Sequence, residues 1–330
     1  MLDRRQALLS AMGAGLAAAA SAQTPPPGHG TGRSRHPDPT ETIDLWPDMP
    51  PQTARPLPVE RAVERSTADG VGDREVRGIA RPRLVVFRPA RPNGCAALVS
   101  PGGGYRYIVI DKEGYEMARW LSARGWTVFV LFYRLPGEGW TDRANVPLSD
   151  AQRAMRLIRA RADAYGQRRD RIAAIGFSAG GHLCADLATR FAIPVYQPVD
   201  AADRLSARPD IAAPIYAVQS MALPVAHAGS RTALLGPDAT PAIERAHTPA
   251  VNLTAATPPL FLAHAEDDGA VPVENSLALR AAARAAGVPV ETQLFEEGGH
   301  GFGLRAAAGK PAALWPELFA RWAAGRGFAA

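Results

Sequence analysis

The sequence predicts an α/β domain: a mostly parallel central sheet with helices on both faces. Three observations carry that reading. Short apolar runs alternate with longer segments of helical periodicity from Arg83 onward. The runs are nearly continuous in apolar residues, as strands covered on both faces are. The residues capable of chemistry fall just beyond the ends of those runs, where open α/β sheets bind their ligands. With 330 residues, 47% of them hydrophobic, the chain can bury a core of that size.

Residues 1–22 read as a twin-arginine-like signal peptide, with Arg4-Arg5, an alanine-rich apolar stretch, and Ala20-Ser21-Ala22 as a small-residue cleavage site before Gln23. The stretch is shorter than the roughly 20 apolar residues that span a bilayer. The expectation is therefore a periplasmic or secreted protein with no stable membrane insertion after cleavage. Residues 23–40, Q-T-P-P-P-G-H-G-T-G-R-S-R-H-P-D-P-T, are too rich in proline and glycine to pack and read as a linker. Residues 41–330 show no repeat and no second shift in composition, and are expected to form one domain.

Within that domain the apolar runs place strands at Arg83 to Phe87, Cys95 to Ser100, Trp126 to Tyr133, Arg171 to Ile175, Ile211 to Tyr216, Pro259 to His264 and Val290 to Phe295. Helices are expected over Glu113 to Arg124, Ser149 to Tyr165, Ala179 to Phe191, Val273 to Gly287 and Pro311 to Ala324. The formal charge is +5, but Lys112 and Lys310 are the only lysines and the arginines are scattered among acidic residues. No basic block is interleaved with aromatics, which argues against a nucleic-acid partner. Cys95 and Cys184 have no ligand histidines nearby and are expected as inert core thiols, although an oxidising compartment would permit pairing.

The stretch G-F-S-A-G, Gly176 to Gly180, follows a predicted strand and opens a predicted helix. Such a turn holds a serine with its hydroxyl exposed above a helix N-terminus, so Ser178 is the expected nucleophile. A serine hydroxyl needs a base. Among the seven histidines, His182 is one turn beyond Ser178 and is expected to pack, and His264 ends an apolar strand. His300 sits in E-E-G-G-H-G-F-G, a glycine-rich loop after the last strand, and is the expected base. Its orienting carboxylate is sought in A-E-D-D-G-A-V-P: Asp268 begins the D-x-x-V-P leading into a helix, whereas Asp267 is expected to cap or face solvent. The order Ser178, Asp268, His300 is the one expected of α/β-hydrolases. The run P-G-G-G-Y from Pro101 lacks the pattern of a phosphate loop. Its Gly103 and Gly104 amides, with that of Ala179, are the expected oxyanion hole. Tyr105, Tyr107 and Trp140 are candidates for stacking on a sugar ring, with core packing as the equal alternative.

These motifs resemble the α/β-hydrolase serine esterases, and within them the bacterial carbohydrate esterases of the acetyl-xylan-esterase-like and feruloyl-esterase-like kind. The resemblance runs through I-D-L-W-P, P-G-G-G-Y, K-E-G, Y-R-L, G-F-S-A-G-G-H-L, S-R-x-x-L-L-G, H-A-E-D-D-x-x-V-P and G-G-H-G-F-G. It implies the α/β-hydrolase fold, an acyl-enzyme mechanism on Ser178, Asp268 and His300, an acetylated or feruloylated carbohydrate substrate, and no metal or organic cofactor. P-G-G-G stands where lipase-like relatives carry H-G-G-G, which keeps the backbone donors and removes a histidine that would brace the loop. A short-chain lipid or general carboxylesterase, a prolyl-oligopeptidase-like peptidase and a non-catalytic sugar-binding module are the alternatives. The peptidase usually brings a propeller for which this chain has no room, and a lipase would want a hydrophobic lid.

Overall fold

Strands that are apolar on both faces must be covered on both faces, and the backbone answers that requirement with one large sheet between two helical layers. The computed structural model describes residues 38–53, 56–68 and 70–329. The signal-peptide reading of residues 1–22, and all of the linker before Asp38, lie outside the described residues.

In chain order the strands are β1 (Thr42–Asp44), β2 (Arg61–Glu64), β3 (Arg74–Arg77), β4 (Arg83–Phe87), β5 (Gly94–Ser100), β6 (Ile108–Val109), β7 (Thr127–Phe132), β8 (Gln167–Phe177), β9 (Ile211–Ile215), β10 (Leu260–Ala265) and β11 (Val290–Phe295). The α-helices are α1 (Glu116–Ser122), α2 (Val146–Ala160), α3 (Ser178–Arg190), α4 (Ala228–Leu235), α5 (Pro241–Ala246), α6 (Pro249–Asn252), α7 (Glu274–Ala285) and α8 (Trp315–Ala324). The main sheet has the order β1-β4-β7-β5-β8-β9-β10-β11, and β2-β3-β6 form a small separate sheet. The pairings from β7 to β11 are parallel, and β1 and β4 close the other edge antiparallel. This is the mostly parallel, helix-covered sheet expected from the sequence. Helices α2, α3, α6 and α7 pack in one layer, while α1 and α8 pack against β7 and β10 respectively, and Arg124, just past the end of α1, pairs with Glu317 of α8.

All seven expected strands are present. The main extension is β8, whose polar first half, Q-R-R-D-R, pairs with the Gly94 end of β5 across a register shift. The expected helix from Glu113 to Arg124 opens instead as a π-helical turn, Asp111–Tyr115, before α1 begins. That wider turn carries Glu113 into the interior, where it is 3% exposed. The elements not expected are β1, β2, β3, β6 and the short helices α4 to α6. They are too short, or in β2 too exposed, for periodicity to register.

Strand order decides where a site can form. The chain lays β7 on one side of β5 and then crosses to lay β8 on the other. The loops after β5 and β8 therefore diverge, leaving a crevice at the carboxyl edge of the sheet. Because β5, β8, β9, β10 and β11 run parallel, the segments beginning at Pro101, Ser178, Tyr216, Glu266 and Glu296 all emerge at that edge.

Candidate active site

Ser178 begins α3 directly from β8, with Phe177 extended and Ser178 itself at φ +53°. That left-handed conformation costs a non-glycine residue about 1–2 kcal/mol. The turn is tight because the flanking glycines touch: a Cβ on Gly176 would lie 2.1 Å from the Gly180 carbonyl oxygen. Every residue of α3 from Ser178 to Ala188 is buried, so the core holds the strained turn in place.

The Ser178 Oγ lies 2.9 Å from His300 Nε2, and His300 Nδ1 lies 2.7 Å from Asp268 Oδ2. Asp268 also accepts the Ala270 and Val271 amides on Oδ1. These hydrogen bonds, together with the nearby histidines, outweigh burial and hold its carboxyl well below the ordinary carboxylate range. An ionised Asp268 only accepts, so His300 Nδ1 carries the proton and its Nε2 is free to accept from the serine hydroxyl. Three side chains from three loops thus meet in one hydrogen-bonded chain, with the His300 side chain 27% exposed at its mouth. Asp267 instead accepts the Gly298 and Gly299 amides at 2.8 and 2.7 Å. It caps the loop that carries His300.

The P-G-G-G loop presses against the serine, since a Cβ on Gly102 would lie 2.9 Å from Ser178 Cβ. The Gly102 amide is taken, donating to Glu113 Oε2 at 2.8 Å. Gly103 and Gly104, at φ +134° and +64°, follow it, and Ala179 is in the first turn of α3, where amides have no intrahelical acceptor. The Gly103, Gly104 and Ala179 amides are thus the candidates for stabilising negative charge on a bound carbonyl oxygen. The Tyr133 hydroxyl braces this loop, donating to the Pro101 carbonyl at 2.8 Å.

Two expectations need correction. Tyr105 is 1% exposed and Trp140 is 4% exposed, so neither ring is open to a stacked sugar. Tyr105 packs edge-on to Tyr133 and His182 and bonds the His182 Nδ1 at 2.7 Å. Trp140 is buried with Val146 and near the Arg134 guanidinium. Burial of large aromatic area outweighed display in both cases. Tyr107, half-buried, is covered by the guanidiniums of Arg65 and Arg77.

Sequence reasoning missed three supporting residues. His264 Nε2 lies 3.2 Å from Asp268 Oδ2 and 3.0 Å from the Val271 carbonyl, while its Nδ1 faces the Ser276 hydroxyl at 2.8 Å. A carbonyl only accepts, so Nε2 donates, and a second imidazole steadies the carboxylate. The four-residue spacing of H-A-E-D-D was the available signal. Glu113 accepts the Gly102 amide on one oxygen and the Tyr216 hydroxyl on the other, the latter at 3.0 Å. Tyr216 in turn accepts the Gly303 amide and lies edge-on to His300. No local pattern marks that link.

The BD-FAE family model matches residues 100–282, more than half of the chain. The chain belongs to the BD-FAE family. That span holds Ser178 and Asp268, and His300 lies beyond it. The chain is similar to an acetyl ester-xyloside bifunctional hydrolase from Caldicellulosiruptor lactoaceticus, with a TM-score of 0.71 and 31% identity over 89% of this chain and 98% of that one. The fold is that of the α/β-hydrolases. In sequence the chain is 32% identical over 228 residues to an acetylxylan esterase of Xylanibacter ruminicola, covering 68% of this chain and 44% of that protein. It is 34% identical over 204 residues to an endo-1,4-beta-xylanase B of Butyrivibrio fibrisolvens, covering 62% and 32%. The chain thus spans less than half the length of these two relatives.

Proposed function

We propose that this protein is a serine carboxylic-ester hydrolase that deacetylates acetylated xylan or xylo-oligosaccharides. The observation that carries the proposal is the chain of hydrogen bonds from Ser178 through His300 to Asp268 at the carboxyl edge of the sheet. In the proposed reaction Ser178 Oγ attacks the ester carbonyl as His300 Nε2 takes its proton, and Asp268 stabilises the imidazolium. The oxyanion is held by the amides of Ala179 and of Gly103 or Gly104. The sugar hydroxyl leaves with the proton from His300. Water, deprotonated by the same imidazole, then attacks the acyl-enzyme and releases acetate.

The acetyl and xylan parts of the proposal are supported by the names of the relatives above, an acetylxylan esterase and a xylanase. The test is release of acetate from acetylated xylo-oligosaccharides, with Ser178→Ala lowering turnover by several orders of magnitude in a folded protein. A tenth or more of wild-type activity in Ser178→Ala, on the order of what an uncoupled residue would leave, would sink the serine mechanism. Activity should fall from acetyl to octanoyl p-nitrophenyl esters. A kcat/KM that rises with acyl length, with no acetate from any sugar, would assign the protein to lipid esters.

Among the described residues no helix is long and apolar enough to cross a membrane. Export is part of the proposal on the sequence of residues 1–22 alone. Intact mass of periplasmic material should give a chain starting near Gln23, and retention of Met1 would refute export by cleavage.

A further inference from the structure

A cavity of about 670 Å³ opens beside the oxyanion loop, lined among others by Arg77, Arg106, Glu138, Arg143 and Gly229. Its size is that of a small-molecule site. One wall is the loop itself: Tyr105 and Arg106 follow Gly104 directly, and a Cβ on Gly104 would lie 3.9 Å from Arg106 Nε. The facing wall is α4, whose Ser230 Oγ would lie 3.8 Å from the same point. His227 is the N-cap of α4. The cavity therefore adjoins the loop whose Gly102 lies against Ser178.

The charge on its walls is unbalanced. Interior guanidiniums elsewhere in the protein are paired, Arg134 with Asp150 and Arg153 with Asp200 and Asp203. Arg77, on the rim, is paired with Glu75 at 2.6 Å. Among the described residues Arg143 is held by backbone alone, donating to the Ala233 and Thr232 carbonyls at 3.0 and 3.1 Å. Arg106 is exposed, and among the described residues its side chain has no hydrogen-bond or ion-pair partner. The one acid on the lining, Glu138, turns an oxygen to the Gly78 amide at 2.7 Å, and burial raises its pKa. Among the described residues neither Arg106 nor Arg143 forms an ion pair with it or with any other carboxylate, and Arg143 is fixed in place by its two carbonyls.

Guanidiniums donate and never accept, and their planar fork matches a carboxylate. We propose that this cavity is a subsite for a carboxylate carried by the sugar portion of the substrate, so that the preferred substrate is an acetylated oligosaccharide bearing a uronic acid. The inference rests on the carbohydrate-ester reading above and narrows its substrate class.

The test is calorimetric binding to the Ser178→Ala protein, comparing acetylated xylo-oligosaccharides of equal length with and without one uronic acid. The acidic ligand should bind about tenfold more tightly, the increment of one charge-assisted hydrogen bond. Arg106→Gln in the same background should remove most of that difference, and Arg106→Lys should restore part of it. Arg106 is exposed, so a thermal melt should show the fold retained. Free acetate, which has the carboxylate without the sugar, should compete poorly. Equal affinities for the two oligosaccharides, or a difference that Arg106→Gln leaves intact, would overturn the subsite. Absence of acetate release by the wild-type protein from either oligosaccharide would instead overturn the esterase reading, which the binding measurement does not depend on.

Discussion

Four donors converge on the Asp268 carboxylate: two amides on Oδ1 and the rings of His264 and His300 on Oδ2. Its neighbour Asp267 takes two amides of the His300 loop and touches no ring. Asp268→Asn should therefore lower kcat by up to about 10⁴, the loss seen when a triad carboxylate can no longer fix the imidazole tautomer. Asp267→Asn keeps an oxygen able to accept the two amides and should cost far less. Side-by-side kinetics on p-nitrophenyl acetate decide the matter, and the reverse ranking would move the orienting role to Asp267. At this scale the sequence was legible where a motif is local. Ser178 stands in a five-residue pattern, His300 in a run of glycines, and Asp268 in D-x-x-V-P. Tyr105 and Trp140 were not legible, because the same aromatic ring suits a sugar platform or a core, and only packing distinguishes them.

Elements carry two further expectations. The π-helical turn before α1 puts Glu113 between the oxyanion loop and Tyr216, and through the Tyr216 hydroxyl to the loop of Gly303. Glu113→Gln leaves one of its two donors facing an amide nitrogen, a penalty of about 1–3 kcal/mol. If that loosens the oxyanion amides, kcat should drop about tenfold or more with KM little changed, and Glu113→Asp should not fully rescue it because the shorter side chain cannot reach both donors. A purely structural role would lower the melting temperature and leave kcat of the folded fraction intact. The second expectation concerns Cys95 on β5 and Cys184 on α3, both buried and free. Burial pushes the Cys184 thiol up to about 12 and raises that of Cys95. A thiol reagent should modify neither in the native protein and both after denaturation, and reductant should leave the melting temperature unchanged. Element boundaries were legible where apolar periodicity was long. The start of α1 was not, since a π turn and an α turn present the same residue types.

The whole molecule should lose stability in mild acid through His182. This imidazole is fully buried, with Nε2 donating to the His247 carbonyl at 2.7 Å and Nδ1 accepting from Tyr105. Burial lowers its pKa from 6.5 to about 4. Above the unfolded value the ring is neutral in both states and the full stability is present. Between about 6.5 and about 4 only the unfolded chain takes up the proton, so stability falls by about 3 kcal/mol and then levels off below the folded value. Urea denaturation at pH 7 and pH 4.5 should show this loss in the wild type and a smaller one in His182→Gln. Equal losses in the two proteins would assign the acid sensitivity to other groups.

The sequence by itself determined the sheet, its helical cover, and the order in which nucleophile, acid and base leave the strands, because each depends on local periodicity or a short motif. The tertiary structure decided what those motifs meet. Strand order brought the segments after β5, β7, β8, β10 and β11 to one edge, and only that juxtaposition set His300 between Ser178 and Asp268, Tyr133 on Pro101 and Glu113 between two loops. It also left Arg106 and Arg143 facing one cavity from distant parts of the chain. Contacts between residues far apart in sequence leave no periodic trace, since they arise from how strands are ordered and not from what each strand contains.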